Sequence, residues 1–315
     1  MRKMSKYYLG IDTSNYTTSI AIIDEKLNII HDERILLKVV KGSKGLRQQE
    51  ALFQHLKNLP ILFERVNIDI NSLESIAVST KPRQIDGSYM PVFLAGEGFA
   101  RTISALNNIK MKRFSHQEGH IGGLLLKEDI SGGFFAIHLS GGTTEVLKCM
   151  NKRDNLSLEL VGGSLDISIG QLIDRIGVYL GLNFPCGQEM DVMAANGKRL
   201  KLGIDVIIKN GYFNLSGLEN KFKNLLDEDR FEREDLLFTL FSILGELLLK
   251  LVEIYIDSGD EKILFVGGVA SNRIIRDNIL NSRYKENIIF TDARLSTDNA
   301  VGISYLGMKK VGWEE

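Results

Sequence analysis

The feature that most constrains the fold is a repeat hidden in two short segments. The stretch LGIDTSNYTTSIA (9–21) matches FAIHLSGGTTEVL (135–147) in pattern. Each segment reads as an apolar strand, a turn of small and hydroxyl residues, and a second apolar strand. The spacing predicts two related halves of similar size. Three residues of the first segment each have a counterpart 126 positions later: Ser14, Thr17 and Thr18 align with Ser140, Thr143 and Thr144.

Both turns have the chemistry of a phosphate-binding loop. Backbone N–H groups and hydroxyls that are presented together form a concave site for phosphate oxygens. One copy carries little weight, because β-hairpins often contain serine and threonine. Two copies at matching positions predict facing phosphate loops with a nucleotide between them.

Composition is that of an ordinary folded protein. The 315 residues are 44% hydrophobic and 25% charged, which suits one large domain or two halves that each bury a core. The net charge of −1 gives no overall basic surface. Binding of nucleic acid would therefore need local patches such as KMKR (110–113) and GKRLKLG (197–203), or a partner protein. Solvated surface clusters are the alternative reading of both patches.

Three observations favour a cytoplasmic protein. Cys149 and Cys186 are the only cysteines, which fits a reducing compartment better than a disulfide framework. The N-terminus lacks the pattern of a signal peptide. The most apolar stretch, LLFTLFSILGELLLKLVEIYI (236–256), carries three charges, and its polar residues recur every three or four positions. That pattern predicts a helix buried on most sides within a soluble protein, with no membrane association.

The stretch FSHQEGHIGG (114–123) places two histidines four residues apart. In a helix, His116 and His120 lie on one face and could hold a metal together. Glu118 would then point to roughly the opposite side. A zinc protease of the His-Glu-x-x-His type needs its glutamate beside the metal-bound water, so this sequence argues against that class.

A glycine pair follows a strand in the segment KILFVGGVASNRIIRDNI (262–279). The pattern predicts a strand, a turn at Gly267-Gly268, and a helix capped by Ser271 or Asn272. Glycines let a backbone approach a ligand closely. A plain strand-to-helix connection explains the segment equally well.

Two further helices carry acidic residues of interest. The segment VGGSLDISIGQLIDRIGVYLGLNFPCG (161–187) predicts a loop and an amphipathic helix that ends near Gly181. Asp174 lies on its more polar face, either as a surface residue or as a group that binds a ribose or a metal-bound phosphate. In ARLSTDNAVGISYLGM (293–308), the residues Ser296, Thr297 and Asp298 are suited to capping a helix, and Gly302 predicts close packing against another backbone.

Taken in order, these motifs resemble the tRNA N6-adenosine threonylcarbamoyltransferase family, once labelled O-sialoglycoprotein endopeptidase. The resemblance covers nearly the whole chain. It implies an α/β protein of the actin/Hsp70/sugar-kinase-like (ASKHA) fold, with two related α/β lobes and a nucleotide cleft between them. The lobes would be 1–130 plus 290–315 and 131–289. The motifs are GIDTS (10–14), SHQEGH (115–120), HLSGGTTEV (138–146), LIDRIGVYLGLNFPCG (172–187), NLSGLEN (214–220), GGVASNR (267–273) and STDNA (296–300).

The resemblance also implies a metal held by His116, His120 and Asp298. Two imidazoles and one carboxylate leave coordination positions open, as in catalytic sites, and suit one Fe(II) or Zn(II) per subunit. It further implies that ATP or an acyl-adenylate, with or without Mg, is bound by the second half. The residues implied to bind it are His138, Leu139, Ser140, Gly141, Gly142, Asp174, Gly187, Asp191 and Asn272. Asp191 is the weaker candidate among them.

The implied reaction transfers a threonylcarbamoyl group from its adenylate to N6 of adenosine 37 in tRNAs that read ANN codons. The metal would polarise the carbamoyl carbonyl, and the Ser140–Gly142 backbone would hold the phosphate leaving group. The adenine amine is a poor nucleophile, so positioning must supply much of the rate. The implied partners are tRNA and other proteins of the same modification pathway, including a separate enzyme that makes the adenylate.

The sequence departs from the family pattern mainly on the acceptor side. Where the family usually has Cys-Asp-Glu-Thr, this chain has Asn15-Tyr16-Thr17-Thr18 and lacks both carboxylates that could act as a base. Asp12 remains as the candidate catalytic carboxylate. The Gly-Pro-Gly loop of the family is replaced by the longer, charged STKPRQIDGSYM (79–90). Three single positions also differ from the family pattern: Ser115 replaces a histidine, Thr143 a histidine and Glu219 a lysine.

These departures leave several functions open. A divergent paralogue could keep nucleotide and metal binding while it carbamoylates another, small-molecule acceptor. A non-catalytic partner protein would tolerate loss of the base but has no need of three intact metal ligands. A small-molecule kinase of the same fold would need a carboxylate base and Mg²⁺, and leaves the histidines unexplained.

Overall fold

A computed structural model describes residues 5–14, 16–39, 46–85, 87–152, 155–256, 261–290, 295, 298 and 300–309. The chain divides into two compact units. Unit 1 comprises Met1–Gly132, Met150–Leu158 and Arg294–Glu315, and unit 2 comprises Gly133–Cys149 and Glu159–Ala293. Unit 1 thus takes in residues 150–158, which the sequence-based division places in the second lobe.

A five-stranded sheet forms the centre of unit 1. Its strands are β1 (Tyr7–Thr13), β2 (Thr17–Asp24), β3 (Ile29–Leu36), β4 (Leu73–Lys81) and β5 (Lys110–Ser115). Their order across the sheet is β3-β2-β1-β4-β5. β1, β2 and β3 pair antiparallel, whereas β4 runs parallel to β1 and β5 runs parallel to β4.

Unit 2 contains a six-stranded sheet in the order β11-β10-β6-β7-β8-β9. Its strands are β6 (Gly132–Leu139), β7 (Thr144–Lys152), β8 (Asn155–Ser164), β9 (Tyr212–Phe213), β10 (Ile263–Val266) and β11 (Ile288–Phe290). β10 runs parallel to both β6 and β11. Read from the other edge without β9, the order β8-β7-β6-β10-β11 repeats that of unit 1. The repeat of β1 and β2 by β6 and β7 confirms the prediction of two related halves.

The helices are α1 (Gln48–Phe63), α2 (Phe93–Asn107), α3 (His116–Leu125), α4 (Ile169–Tyr179), α5 (Gly187–Ala194), α6 (Ser216–Asp227), α7 (Arg233–Tyr255), α8 (Arg273–Leu280) and α9 (Val301–Met308). Those of unit 1 cover both faces of its sheet. Gly96 of α2 faces the side chains of Ile11 and Thr13, and Gly10 faces Ser304 of α9. Neighbouring residues of a strand point to opposite faces, so α2 and α9 pack on opposite sides of β1.

The core of unit 2 surrounds α7, which confirms the buried helix predicted over 236–256. Thr239 and Ser242, which the sequence places on a polar stripe, are both buried. The Thr239 hydroxyl oxygen accepts a hydrogen bond from the Leu200 N–H at 2.9 Å, and the Ser242 hydroxyl donates to the Phe238 carbonyl oxygen at 2.8 Å, so both buried hydroxyls are hydrogen-bonded within unit 2. Within the described residues, no helix has the combined length and apolar character needed to cross a membrane.

The local predictions near helix ends are partly confirmed. Asn272 caps α8, because its side-chain oxygen accepts a hydrogen bond from the Ile275 N–H at 3.0 Å. The prediction of Asp298 as a helix cap is wrong, since α9 begins at Val301 with Ala300 at its N-cap. Ser296 and Thr297 lie outside the described residues.

A buried histidine in unit 1 makes stability depend on pH. His55 of α1 is fully buried, and its Nδ1 lies 2.8 Å from the Thr18 hydroxyl. Its Nε2 has no hydrogen-bond partner in the described part of the chain. Burial lowers the pKa of His55 to about 4, although the charges of Asp12 and Asp298 oppose the change. The folded protein therefore holds this imidazole neutral.

We expect the free energy of unfolding to fall by about 3 kcal/mol between about pH 6.5 and pH 4 through this group. The unfolded state gains a proton below its pKa of about 6.5, and the folded state takes up that proton only near the lower value. Stability is therefore present above this window and is lost as the pH falls through it. Urea unfolding of wild type and His55→Gln checks the effect. Equal slopes of stability against pH in the two proteins would contradict it.

Candidate functional site

A cluster of two imidazoles and one carboxylate lies in unit 1. His116 is the first residue of α3, and His120 follows one turn later on the same face. Their Nε2 atoms are 3.0 Å apart. Asp298 Oδ1 lies 3.4 Å from Nε2 of His116 and 3.6 Å from Nε2 of His120. Two ligand atoms from one helix thus meet a third from a residue 178 positions later in the sequence.

These separations fit a single ion. Ligand atoms about 2.1 Å from a metal are about 3.0 Å apart at a right angle and about 3.4 Å apart at the tetrahedral angle. All three observed separations lie in or close to this interval. Two imidazole nitrogens and one carboxylate oxygen suit Zn(II) and Fe(II), and leave one or more positions for a substrate. The donor set therefore fits the metal that the resemblance implies.

The charges of His116 and Asp298 stabilise each other. Burial alone disfavours a charged His116, but the carboxylates of Asp12 and Asp298 outweigh it and raise the pKa of His116 well above its ordinary value. Burial likewise disfavours a charged Asp298, and hydrogen bonds from the two imidazoles reverse this and hold the pKa of Asp298 well below its usual range. The site favours an ionised carboxylate facing positive charge.

Glu118 takes no part in the cluster. Its carboxylate accepts hydrogen bonds from the Ser115 N–H and hydroxyl, both at 2.7 Å, and the Glu118 N–H donates to the Ser115 hydroxyl. This reciprocal pair is a capping box that starts α3. Ser115, which replaces a family histidine, thus has a structural role. The side chain of Glu118 is engaged away from the imidazoles, as the helical spacing predicts.

Asp12 at the end of β1 contacts the other nitrogen of His116. Its Oδ1 lies 3.0 Å from His116 Nδ1 and accepts a hydrogen bond of 2.5 Å from the Ser79 hydroxyl. Burial alone raises the pKa of Asp12, but His116 and Ser79 outweigh it and lower the pKa below its ordinary value. Sequence reasoning missed Ser79. Its place at the end of β4, parallel to β1, was the available signal, since the ends of such strands share one edge.

Glycines bring Asp298 to the histidines. A Cβ atom on Gly302 of α9 would overlap the Gly119 carbonyl oxygen and the Gly123 nitrogen of α3. A Cβ atom on Gly122 would lie 2.6 Å from the Gly302 carbonyl oxygen. The two helices therefore cross at backbone contact, which confirms the close packing predicted for Gly302. This crossing places Asp298, just before α9, beside the first turns of α3.

The loop between β6 and β7 in unit 2 is held by hydroxyl groups. The Ser140 hydroxyl accepts hydrogen bonds from the Thr143 N–H at 3.0 Å and the Gly142 N–H at 3.3 Å. Thr143, which replaces a family histidine, places its hydroxyl 2.7 Å from Ser140 Oγ and 3.4 Å from His138 Nδ1. The buried Leu139 fixes the end of β6 in the core.

Two glycines of this loop have no packing reason to be glycine. A Cβ atom on Gly141 or Gly142 would meet nothing within 4 Å, and neither residue has a positive φ. Gly268, after β10, is equally open. The Ser168 hydroxyl at the start of α4 donates to the Gly141 carbonyl oxygen at 3.0 Å. An open loop fixed against a helix N-terminus is the arrangement that admits phosphate oxygens.

The remaining predicted nucleotide residues form two hydrogen-bonded groups in unit 2. Asp174 Oδ1 accepts from the Cys186 N–H at 2.8 Å, directly before Gly187, and burial raises the pKa of Asp174. Asp191 Oδ1 accepts from Asn272 Nδ2 at 2.9 Å. Gly187 and Asp191 both belong to α5. Asp174 and Asn272 thus connect α5 to α4 and α8.

Glu219 and several cations of the two basic patches form ion pairs or hydrogen bonds within the protein. Glu219, which replaces a family lysine, forms ion pairs with Arg175 at 3.1 Å and Lys223 at 2.6 Å. In the first basic patch, Lys112 is buried and donates to the Gly307 carbonyl oxygen, and Arg113 pairs with Glu97. In the second patch, Arg199 pairs with Glu246 and Lys198 with Asp235. Asn15 lies outside the described residues.

Comparison with known sequences gives one consistent result. The family model described as tRNA N6-adenosine threonylcarbamoyltransferase matches residues 38–305. A protein of that name from Mycoplasmopsis synoviae is 30% identical over 314 residues, covering 96% of this chain and 98% of the relative. Another from Nanoarchaeum equitans is 28% identical, covering 95% of this chain and 92% of the relative.

Comparison with solved structures identifies the fold. The component A of (R)-2-hydroxyglutaryl-CoA dehydratase from Acidaminococcus fermentans matches with a TM-score of 0.60 at 13% identity, over 97% of this chain and 99% of that one. A ROK family glucokinase from Streptomyces griseus, solved with glucose and AMPPNP, matches with a TM-score of 0.51 at 10% identity, over 96% of this chain and 99% of that one. The two repeated α/β units therefore have the ASKHA fold.

Proposed function

The chain belongs to the tRNA N6-adenosine threonylcarbamoyltransferase family, and from this premise we propose that it transfers a threonylcarbamoyl group from threonylcarbamoyl-adenylate to N6 of adenosine 37 in ANN-decoding tRNAs. The observation that carries the proposal is the convergence of two imidazole nitrogens and one carboxylate oxygen within 4.8 Å of one another. Family membership alone would permit a member that has lost its catalytic site. An intact ligand set favours a working enzyme.

His116, His120 and Asp298 would hold one Fe(II) or Zn(II). A metal held there would supply Lewis-acid chemistry that polarises the carbamoyl carbonyl and stabilises charge on its oxygen. The choice between the two metals is set by the remaining ligands and by availability, since this donor set suits both.

Asp12 would act on the substrate through His116. A carboxylate on Nδ1 would keep a proton there, which leaves Nε2, on the side of Asp298 and His120, as the atom that would bind the metal. The hydrogen bond from Ser79 holds the Asp12 oxygen in place. Asp12 is therefore proposed as a positioning residue. This assignment makes the catalytic role predicted for Asp12 from the sequence an indirect one.

The loop at His138–Gly142 would bind the phosphate of the adenylate, or of ATP with Mg. The open faces of Gly141 and Gly142 admit the ligand, and Asp174, Gly187, Asp191 and Asn272 would bind the nucleoside. The Ser140–Gly142 backbone would hold the phosphate leaving group, whose departure the adenine amine requires because it is a weak nucleophile.

We expect Gly141→Ala to lower affinity for the adenine nucleotide by about tenfold, because the added methyl group fills the approach to the loop backbone. Unfolding should be unchanged, since the methyl group meets no atom within 4 Å. Calorimetric titration with a non-hydrolysable ATP analogue measures the affinity. Gly217→Ala, at an equally open position on α6, is the matched control. Equal nucleotide affinity in the two variants would remove the loop from the nucleotide site.

The function itself is tested with separately prepared threonylcarbamoyl-adenylate, unmodified tRNA and the metal-loaded protein. We expect digestion of the tRNA and mass spectrometry of its nucleosides to show threonylcarbamoyl-adenosine. Failure to modify any ANN-decoding tRNA, by a protein that holds metal and nucleotide, would overturn the tRNA assignment.

A second function is favoured by one specific observation. Tyr16 and the buried Thr17 stand where the family has carboxylates, so the acceptor side has changed while the metal ligands remain. A paralogue that carbamoylates a small amine would show this combination. Offering labelled donor to tRNA and to small amines in parallel separates the two transferases. Absence of transfer to either acceptor would instead support a non-catalytic partner protein.

A further inference from the structure

One segment of unit 1 begins and ends beside His116. Residues 82–85 and 87–92, here called the rim loop, join β4 to α2. At the start, Lys81 pairs with Ser115 across the parallel strands β4 and β5, and the Gln117 N–H donates to the Pro82 carbonyl oxygen at 3.1 Å. Ser115 and Gln117 are the two sequence neighbours of His116. The rim loop therefore leaves the sheet at the metal-ligand cluster.

The far end of the rim loop returns to the same residue. The ring of Phe93 lies 6.2 Å from the ring of His116, measured between centroids. The Thr13 hydroxyl donates to the Val92 carbonyl oxygen at 3.0 Å, which fixes this end to the residue after Asp12. Because both ends are anchored at the cluster, the rim loop must form part of its border.

Two turns shape the rim loop. The Ser88 N–H donates to the Ile85 carbonyl oxygen at 3.2 Å, and Gly87 has a φ of 75°, a conformation that glycine adopts readily. The Phe93 N–H donates to the Met90 carbonyl oxygen at 3.3 Å, which closes a second turn. Backbone hydrogen bonds therefore hold both parts of the rim loop that the structure describes.

The rim loop presents an aromatic side chain to solvent. Tyr89 is 64% exposed and Ile85 is 50% exposed. Tyr89 directly precedes the turn from Met90 to Phe93, so its Cα lies within about 11 Å of the Phe93 Cα. Tyr89 is therefore an exposed aromatic residue near the end of the rim loop that contacts His116 through Phe93.

We propose that the rim loop recognises the acceptor as an unpaired purine of RNA, with the ring of Tyr89 stacked on a base. The proposal rests on the function proposed above and names the element that selects its acceptor. Stacking on an exposed aromatic ring is the usual way in which proteins hold an unpaired base. Lys81, which pairs with Ser115 at the start of the rim loop, adds positive charge at the same border, where phosphates that flank the base would lie.

The rim loop also replaces a function that the acceptor segment has lost. Two carboxylates of the family are missing there, so orientation of the amine must contribute more to the rate than acid–base help. Stacking fixes the plane of the base and, with it, the direction of the exocyclic amine. An aromatic residue at the border would supply that orientation, whereas the Gly-Pro-Gly loop of the family has no aromatic ring.

The test uses a fluorescently labelled anticodon stem-loop RNA that carries adenosine at position 37, bound to the full-length, metal-loaded protein. We expect Tyr89→Ala to weaken RNA binding about tenfold, because one base–aromatic stack is lost, and Tyr89→Phe to bind like wild type. Metal content and nucleotide affinity should stay unchanged in both variants. Leu106→Ala, at an 80% exposed position near the end of α2, is the matched control.

The outcomes separate this inference from the proposed function. If wild type modifies tRNA and Tyr89→Ala binds and modifies it equally well, the rim loop does not select the acceptor and the function stands. If wild type neither binds the stem-loop nor modifies tRNA, both proposals fail together. A loss of binding in Tyr89→Ala that Tyr89→Phe does not restore would also overturn stacking as its cause.

Discussion

Alanine at His116, His120 or Asp298 is expected to remove the bound metal and with it the transfer of the threonylcarbamoyl group. Structural zinc sites with four protein ligands bind their metal with about 10–16 kcal/mol, which is about 3 kcal/mol for each ligand. Loss of one ligand should therefore lower the metal affinity more than about 100-fold. The loss should be complete at micromolar metal, because only two ligands would remain. Elemental analysis of each variant after loading with Fe(II) or Zn(II) under anaerobic conditions gives the metal content per chain.

The control for this prediction removes an imidazole elsewhere. His31 lies on β3, at the far edge of the sheet from β5, so His31→Ala should keep wild-type metal content. Nucleotide affinity reports the fold of unit 2 and should be unchanged in all four variants. Unchanged metal content in both His116→Ala and His120→Ala would rule out the proposed site, whatever the activity of the protein.

The fold was predictable because each copy of the repeat lies within one short stretch of sequence. An apolar strand, a hydroxyl-rich turn and a second apolar strand can be recognised within thirteen residues, and the structure places both copies at the same position of two sheets with the same strand order. The start of α3 was predictable for a similar reason. The facing of His116 and His120, and the opposite direction of Glu118, follow from helical spacing alone.

The third ligand could not be found in this way. Asp298 lies 178 positions after His120 and has the pattern of an ordinary helix cap. Only the family resemblance assigned it to the same metal site as the two histidines. The contact depends on how α3 and α9 cross, which involves residues of both helices. The role of Asp12 was equally hidden, because its hydrogen bonds to His116 and Ser79 depend on the register of β1 and β4.

Charge clusters were the least predictable feature. KMKR and GKRLKLG both read as basic patches, yet the first lies on β5 with a buried lysine, and two cations of the second pair with acids from α7. A run of like charges in sequence shows nothing of the acidic residues that the fold brings opposite. The exposed side chains of the rim loop are therefore a better guide to RNA binding than the number of lysines.

Gly302→Ala is expected to destabilise unit 1 by about 3 kcal/mol and to abolish metal binding in the fraction that stays folded. The added methyl group would overlap backbone atoms of Gly119 and Gly123, which cannot rotate away as a side chain can. The helices α3 and α9 must therefore separate. A shift of even about 1 Å would take Asp298 out of the range that one ion can bridge, because metal–ligand distances vary by only about 0.2 Å.

The matched control is Gly98→Ala, which adds the same methyl group inside helix α2 at a position where it meets no atom within 4 Å. That change should stabilise the protein by about 0.5–1 kcal/mol, since alanine favours a helix over glycine. Urea unfolding and metal content are measured together for both variants. A folded Gly302→Ala protein that keeps its metal would show that the helix crossing does not position Asp298. Loss of metal in Gly302→Ala alone would show that Asp298 joins the two histidines because the helices α3 and α9 touch at their backbones.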